Sequence, residues 1–239
     1  MRILVTNDDG IFSEGLRYLV EFAQTLGEVI VVAPKKEQSA KSQSINVKTG
    51  FTIEKINLFE GIESYMVDST PSDCVRVAIY YLKLDFDMVF SGINNGYNAG
   101  EDILYSGTVA AATEGALINK PSLAFSTIYS SFEGKKFLKE SFDYVMDNKL
   151  FEKHNFWNIN IPPKARGIKI TKQGLTNFDT FFENRDGLLY QLGDPHFEKE
   201  TDEEADVKAL NDDYISITPL TVDRTKHFNK WLYKCNKIR

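Results

Sequence analysis

The chain has 239 residues, 42% of them hydrophobic and 13% aromatic, enough to bury a core as one large domain or a domain with a substantial appendage. That composition excludes a disordered chain, and the formal charge of −6 argues against a nucleic-acid scaffold, which carries a basic stripe.

Arg2 to Thr6 is a short apolar run that ends in Asn7-Asp8-Asp9-Gly10, the pattern of a buried parallel strand entering a polar turn. Leu16, Leu19, Val20, Ala23 and Leu26 then recur at helical spacing, with Ser13 as N-cap and Gly27 as the stop. Val29 to Val32 is a second buried strand, broken by Pro34, which completes a βαβ opening. Val75, Ile79 and Leu82 predict a helix over 72–84, and Asp87 to Phe90 predicts a strand. An Ala-rich helix over 108–117 and a strand over 123–128 follow. Strands alternating with helices predict a doubly wound α/β sheet, whose ligands bind at the carboxyl ends of its strands.

Beyond residue 130, Phe137, Leu138, Phe142, Val145 and Met146 predict a further helix. Strands are expected over 156–161, 168–171 and 214–218, with 198–204 as a solvated acidic loop. Phe228, Trp231 and Leu232 share one face of a helix expected over 222–236, which would dock on its own core or on a partner subunit.

Cys74 and Cys235 have no paired spacing and read as reduced thiols. His154, His196 and His227 lie scattered among polar residues and read as surface or structural groups, which points to a mechanism without histidine. Zinc hydrolases and Ser-His-Asp enzymes therefore drop from the first choices. The N-terminal run is too short for a signal segment, and no apolar stretch reaches the ~20 residues of a membrane span. The expectation is a cytoplasmic protein that meets neither a membrane nor a nucleic-acid polymer.

Three polar clusters fall where an α/β sheet opens its crevice. At Asp8-Asp9, adjacent carboxylates repel, and a hard divalent cation relieves that repulsion; one Asp capping the next helix beside an ordinary turn Asp is an equal alternative. Ser39, in the Ser-rich loop after the second strand, could add a neutral oxygen ligand, although a loop Ser ordinarily bonds to nearby backbone. The third cluster, Ser91 to Gly100, supplies Gly92, Gly96 and Gly100 for close backbone approach and Asn94, Asn95 and Asn98 as neutral polar groups. Ser106-Gly107-Thr108 then opens the Ala-rich helix, and a helix N-terminus favours an anion. Together the clusters describe a metal at the Asp pair and a phosphate between it and the Ser106 helix. Phosphoryl transfer asks mainly for positioning and charge neutralisation, so no histidine is required.

At these residues the chain resembles the SurE family, the survival proteins that act as metal-dependent 5′/3′-nucleotidases. The matching pieces are Arg2 to Ile11, Val31 to Pro34 with Ser39-Ala40, Thr70 to Cys74, Ser91 to Asn94, Tyr105 to Gly115, Asn158 to Pro162 and Tyr214 to Pro219. The resemblance implies one domain over 1–239, a Rossmann-like three-layer α/β/α sandwich. Residues 1–130 would form its core, and 131–239 the rest of the core plus a β-hairpin and helix extension used in dimerisation, as a homodimer or dimer of dimers. It implies one magnesium or manganese ion per subunit on Asp8, Asp9, Ser39 and Asn94, with Asp8 and Asp9 catalytic and the substrate phosphate at Asn98, Ser106, Gly107 and Thr108. The substrates it implies are nucleoside monophosphates and, for some members, short polyphosphates. Ser69 stands where the family usually has Gly, and the stretch from Gly174 to Gly193 follows the family pattern only loosely.

Other readings fit worse. A receiver domain needs an Asp where Ser91-Gly92-Ile93-Asn94 ends its strand, a haloacid-dehalogenase-like phosphatase needs a DxD spacing, and a dinucleotide site needs GxGxxG. A binding module without catalysis would use the same ligands. Whether Asp8 is ligand, nucleophile or base is left open by the residues alone.

Overall fold

The computed structural model describes residues 1–128 and 133–225. In chain order it places strand β1 at Arg2–Thr6, helix α1 at Glu14–Gln24, β2 at Glu28–Pro34, β3 at Ile53–Ile56, β4 at Glu63–Val67 and α2 at Pro71–Arg76. There follow β5 at Met88–Asn95, α3 at Gly107–Leu117, β6 at Ser122–Thr127, α4 at Leu138–Asp147, α5 at Leu150–Lys153, β7 at Phe156–Ile161 and β8 at Ile168–Ile170. The last elements are β9 at Phe181–Arg185, β10 at Leu188–Leu192, α6 at Asp206–Asn211 and β11 at Ile215–Pro219.

Nine strands form one sheet in the order β3-β4-β2-β1-β5-β6-β7-β11-β8. The six from β4 to β7 are parallel, whereas β3 and β11 run antiparallel to their neighbours β4 and β7. Alternation along β1 and β2 divides the core. Ile3, Val5, Val29 and Val31 join α1 and α4 in one cluster, while Leu4, Ile30 and Val32 join α2 on the opposite face. Both faces are therefore covered, which is why β1 and β2 read as unbroken apolar runs. The result is the three-layer α/β/α architecture. Residues on both sides of position 130 share the sheet, since β7, β8 and β11 extend it.

The chain runs outward from β1 to β2 and β4, then returns to place β5 on the other side of β1. The switch point thus lies between the carboxyl ends of β1 and β5, where a crevice must open.

Several expectations change. The strand expected over 87–90 continues to Asn95, because after a register break between Ser91 and Asn94 the chain pairs again, Asn94 with Ser126 and Asn95 with Thr127. Gly92 permits this with φ +132°; a Cβ there would lie 2.3 Å from the Phe125 carbonyl oxygen. The helix expected over 72–84 starts at Pro71 with Thr70 as its cap and turns more widely from Val77, where the Leu82 amide donates to the Val77 carbonyl. Edge strand β3 and its neighbour β4 have no counterpart in the periodicity reading. Within the acidic stretch, Glu200 accepts from the Leu175 amide and Lys172 pairs with Asp202 and Glu204, so part of the expected loop is tied to the fold. Residues 222–225 are irregular, and the remainder of the helix expected over 222–236 lies outside the described residues, as do His227 and Cys235.

The C-terminal part is fastened through Asp206, fully buried on α6, whose carboxylate accepts from the amides of Gly100, Gly174 and Val207. Asp206→Ala would orphan buried amides at about 1–3 kcal/mol each, so we expect a loss of about 3 kcal/mol or more in urea unfolding. A midpoint near that of the wild type would mean that water satisfies these groups instead.

Candidate active site

At the switch point lies an open cleft of about 600 Å³, whose lining includes Asp8, Asp9, Ser39, Asn94, Asn98 and Ser106. These are six of the eight positions singled out from sequence. Gly107 and Thr108 do not line the cleft; they stand behind it, against Asp8.

Asp8 is buried, and its carboxylate accepts from both the hydroxyl and the amide of Thr108 at the start of α3. Gly107 makes that contact possible, because a Cβ there would lie 2.8 Å from the Asp8 Cβ and 2.9 Å from its Oδ2. The N-terminus of α3 is thus already spent in part on a protein carboxylate. Burial pushes the Asp8 pKa up, and the Thr108 hydrogen bonds pull against that shift.

Asp9 is pushed up to about 6, first by burial and then by the charge of Asp8, with the Asn95 amide opposing. Its Oδ2 is buried without a hydrogen-bond partner. No basic side chain is among the described residues that line the cleft.

The loop after β2 is held under the pair by the Gln38 amide, which donates to the Asp8 carbonyl at 2.8 Å, and by the Ile11 amide, which donates to the Pro34 carbonyl. Ser39, exposed at its tip, gives its hydroxyl hydrogen to Glu37, which leaves oxygen lone pairs. Asn94 donates its side-chain NH2 to the Gly96 carbonyl at 2.7 Å, leaving its amide oxygen uncommitted. Four oxygen donors of this kind suit a hard divalent cation. Among the described residues no three His, Cys, Asp or Glu side chains gather as a metal site, so any such site here must draw on the neutral oxygens as well.

On the other wall, Asn98 is set from β7: its amide donates to Asn160 Oδ1 at 2.9 Å, and its carbonyl accepts from the side chains of Asn158 and Asn160. Its side-chain NH2 reaches Ser126 at 2.9 Å and keeps a second hydrogen. Ser106 caps α3 by accepting from the Val109 amide at 3.0 Å, so its own hydroxyl proton stays available.

The sequence reading missed Glu14, Glu37, Tyr97, Asp102 and Tyr105, which also line the cleft, and the brace formed by Asn158 and Asn160. Asn158-Ile-Asn-Ile did carry a signal, namely polar residues alternating inside a buried strand. His154 bonds to the Leu220 carbonyl, and His196 sits between Asp179 at 3.2 Å and Glu198 at 3.1 Å. Neither lines the cleft, as their surface or structural reading required.

Fold and cleft define a three-layer α/β protein with an acidic pocket at its switch point, facing a helix N-terminus. The family described as "Survival protein SurE" matches residues 3–180. The "5'-nucleotidase SurE" of Alkaliphilus metalliredigens is 40% identical, over 97% of this chain and 96% of its own length. That of Thermosipho melanesiensis is 38% identical, over 93% and 92%. The crystal structure of SurE from Aquifex aeolicus superposes with a TM-score of 0.78 at 32% identity, covering 94% of this chain and 95% of that one. The chain belongs to the SurE family, and the resemblance drawn from its motifs holds over nearly its whole length.

Asp9 binds its proton more tightly in the folded chain than in the unfolded one, across a window from 3.8 to about 6. The folded state therefore holds more protons in that window, and the stability this contributes below it is lost as pH rises through it. Chelator-treated protein should lose melting temperature from about pH 4 to about pH 6 relative to Asp9→Asn. Parallel profiles would assign the proton elsewhere.

Proposed function

We propose that this protein is a 5'-nucleotidase that hydrolyses nucleoside monophosphates to nucleoside and phosphate, with one magnesium or manganese ion per subunit. Its relatives' names support the activity. The observation that carries the chemistry is the Asp8-Asp9 pair at the end of β1, with Asp8 buried, Asp9 partly buried and its Oδ2 unpartnered, and with no basic group lining the cleft among the described residues. Such a pair fits a divalent cation and little else.

Asp8, Asp9, Ser39 and Asn94 would hold the ion, which supplies charge neutralisation and Lewis acidity for phosphoryl transfer. The remaining work falls to the chain. Thr108 and Gly107 hold the Asp8 carboxylate in one orientation. The Ser106 hydroxyl and the spare Asn98 hydrogen donate to phosphate oxygens, and the amide of Gly107 adds the dipole of α3. Asn158 and Asn160 keep the Asn98 backbone fixed while it does so. Short polyphosphates are a secondary substrate class in this reading.

We also propose a cytoplasmic homodimer or dimer of dimers. No helix among the described residues is long and apolar enough to cross a membrane. The two-stranded sheet of β9 and β10 exposes Phe181, Phe182, Leu188, Leu189 and Tyr190, and an isolated hairpin of that kind is marginal in water unless something covers it. A second copy is the occupant that the 131–239 extension provides. Phe182→Ser with Leu189→Ser should shift the light-scattering mass toward monomer, and an unchanged mass would move the interface elsewhere.

Stripping the protein with a chelator should abolish phosphate release from a panel of nucleoside monophosphates, and manganese or magnesium should restore it. Asp9→Asn should stay inactive at saturating metal with its fold intact by circular dichroism. Nucleotide binding without turnover under any metal would make the site a binding module.

A further inference from the structure

An alkyl phosphate such as a nucleotide does not part easily from its leaving oxygen, which departs as an alkoxide unless a proton arrives as the bond breaks. No histidine, lysine or arginine lines the cleft among the described residues, so the proton has to come from another of the groups found there. Asp8 and Asp9 are committed to the cation in the reading above, on which this inference rests. Tyr97 is a poor donor, because burial against Phe197 pushes its phenol well up. Three carboxyl groups remain, Glu14, Glu37 and Asp102.

Two of them are exposed and already engaged by side-chain partners. Glu14 is exposed, accepts from the Tyr18 hydroxyl and pairs with Arg17 at 3.5 Å. Glu37 is exposed and accepts from the Ser39 hydroxyl at 2.5 Å. Asp102 differs. It is half-buried on the single turn between β5 and α3, and no ion pair with a basic group reaches it among the described residues. Its main-chain carbonyl accepts from the amides of Tyr105 at 3.0 Å and Ser106 at 3.1 Å, so the residue sits on the same wall as the phosphate-binding end of α3, one turn earlier.

We propose that Asp102 is the general acid of the reaction, the group that protonates the ribose oxygen as it leaves. The oxygen of a water molecule bonds to phosphorus while the bond from phosphorus to the ribose oxygen breaks. The Asp102 proton moves to that ribose oxygen, giving nucleoside and an Asp102 carboxylate, and solvent returns a proton to the carboxylate as the water sheds its own. Burial, then the charge of neighbouring Glu101, raises Asp102 to about 6, which keeps a protonated fraction near neutrality. The other carboxyl groups that line its cleft are Asp8, Asp9, Glu14 and Glu37, the first two of them engaged with the cation in the reading above.

The test compares adenosine monophosphate with p-nitrophenyl phosphate, whose phenolate leaves without protonation, on the manganese-loaded full-length protein. For Asp102→Asn we expect kcat on the nucleotide to fall about a hundredfold or more, with a loss on the nitrophenyl ester below about tenfold. The acid acts when protonated, so the wild-type nucleotide rate should decline as pH rises above about 6, and that limb should vanish in the variant. Asp102→Glu should recover part of the nucleotide rate. Equal losses on both esters would make Asp102 a structural residue and overturn the proposal, as would an undiminished nucleotide rate. If the wild type released phosphate from neither ester with any metal, the nucleotidase reading itself would fall, and this inference with it.

Discussion

Two carboxylates on consecutive residues share the end of one buried strand, and the rest of the site is organised around their repulsion. Asp8 is met by the hydroxyl and the amide of Thr108, and Asp9 by the amide of Asn95. These are dipoles, not charges. They orient the carboxylates without neutralising them, and burial keeps both acids above their ordinary range. A lysine or arginine in their place would have settled the charge and closed the site to a cation. The arrangement instead keeps a standing demand for positive charge at a fixed point, and Asp9 Oδ2, buried and unpartnered, is where that demand is least met.

The sheet order decides why the demand arises there. Because the chain fills one side of β1 before crossing to the other, the turns after β1 and β5 diverge and leave a gap. α3 packs with its first turn into that gap, and only a residue without a side chain at 107 lets it come close enough for Thr108 to reach Asp8. Fold and chemistry therefore meet at one packing contact. Close approach of the helix positions the carboxylate and leaves the Ser106 hydroxyl facing the cleft.

Much of this was legible in the residues, for a definable reason. β1 and β2 are buried on both faces and read as apolar runs, while Ser13 and Ser106 announce their helices by capping chemistry. Chemistry at strand ends stands out because Asp and Asn are unexpected directly after such runs. What stayed hidden depends on partners distant in sequence. β5 could not be followed to Asn95 because its last residues are Asn and Gly, weak strand formers that hold only because β6 pairs with them after the register break. β3 forms the sheet edge and β4 lies next to it; both carry charged residues and few buried ones, so neither period is marked. Thr108 looked like a phosphate ligand from its place at a helix start, whereas tertiary packing turns its hydroxyl to Asp8, a hundred positions away.

The second wall of the cleft shows how such a site is kept rigid. Asn98 lies in a stretch rich in Gly and Asn, the kind of backbone that would wander if left to itself. Asn158 and Asn160 point from one face of β7 and bond to both its amide and its carbonyl, while Asp206 ties down the Gly100 amide two residues on. Each of these polar groups is buried, and each would be a liability in an apolar core without its partner. Their burial makes sense only as a set. Alanine at either asparagine would satisfy β7 equally well and release the loop, so the stability these side chains put at risk goes into holding one backbone segment still. That segment carries Asn98 toward the cleft at one end and continues at the other into the turn bearing Asp102 and Ser106. Rigidity at β7 is therefore passed along the chain to every donor on that wall, which is what a reaction that depends on positioning requires.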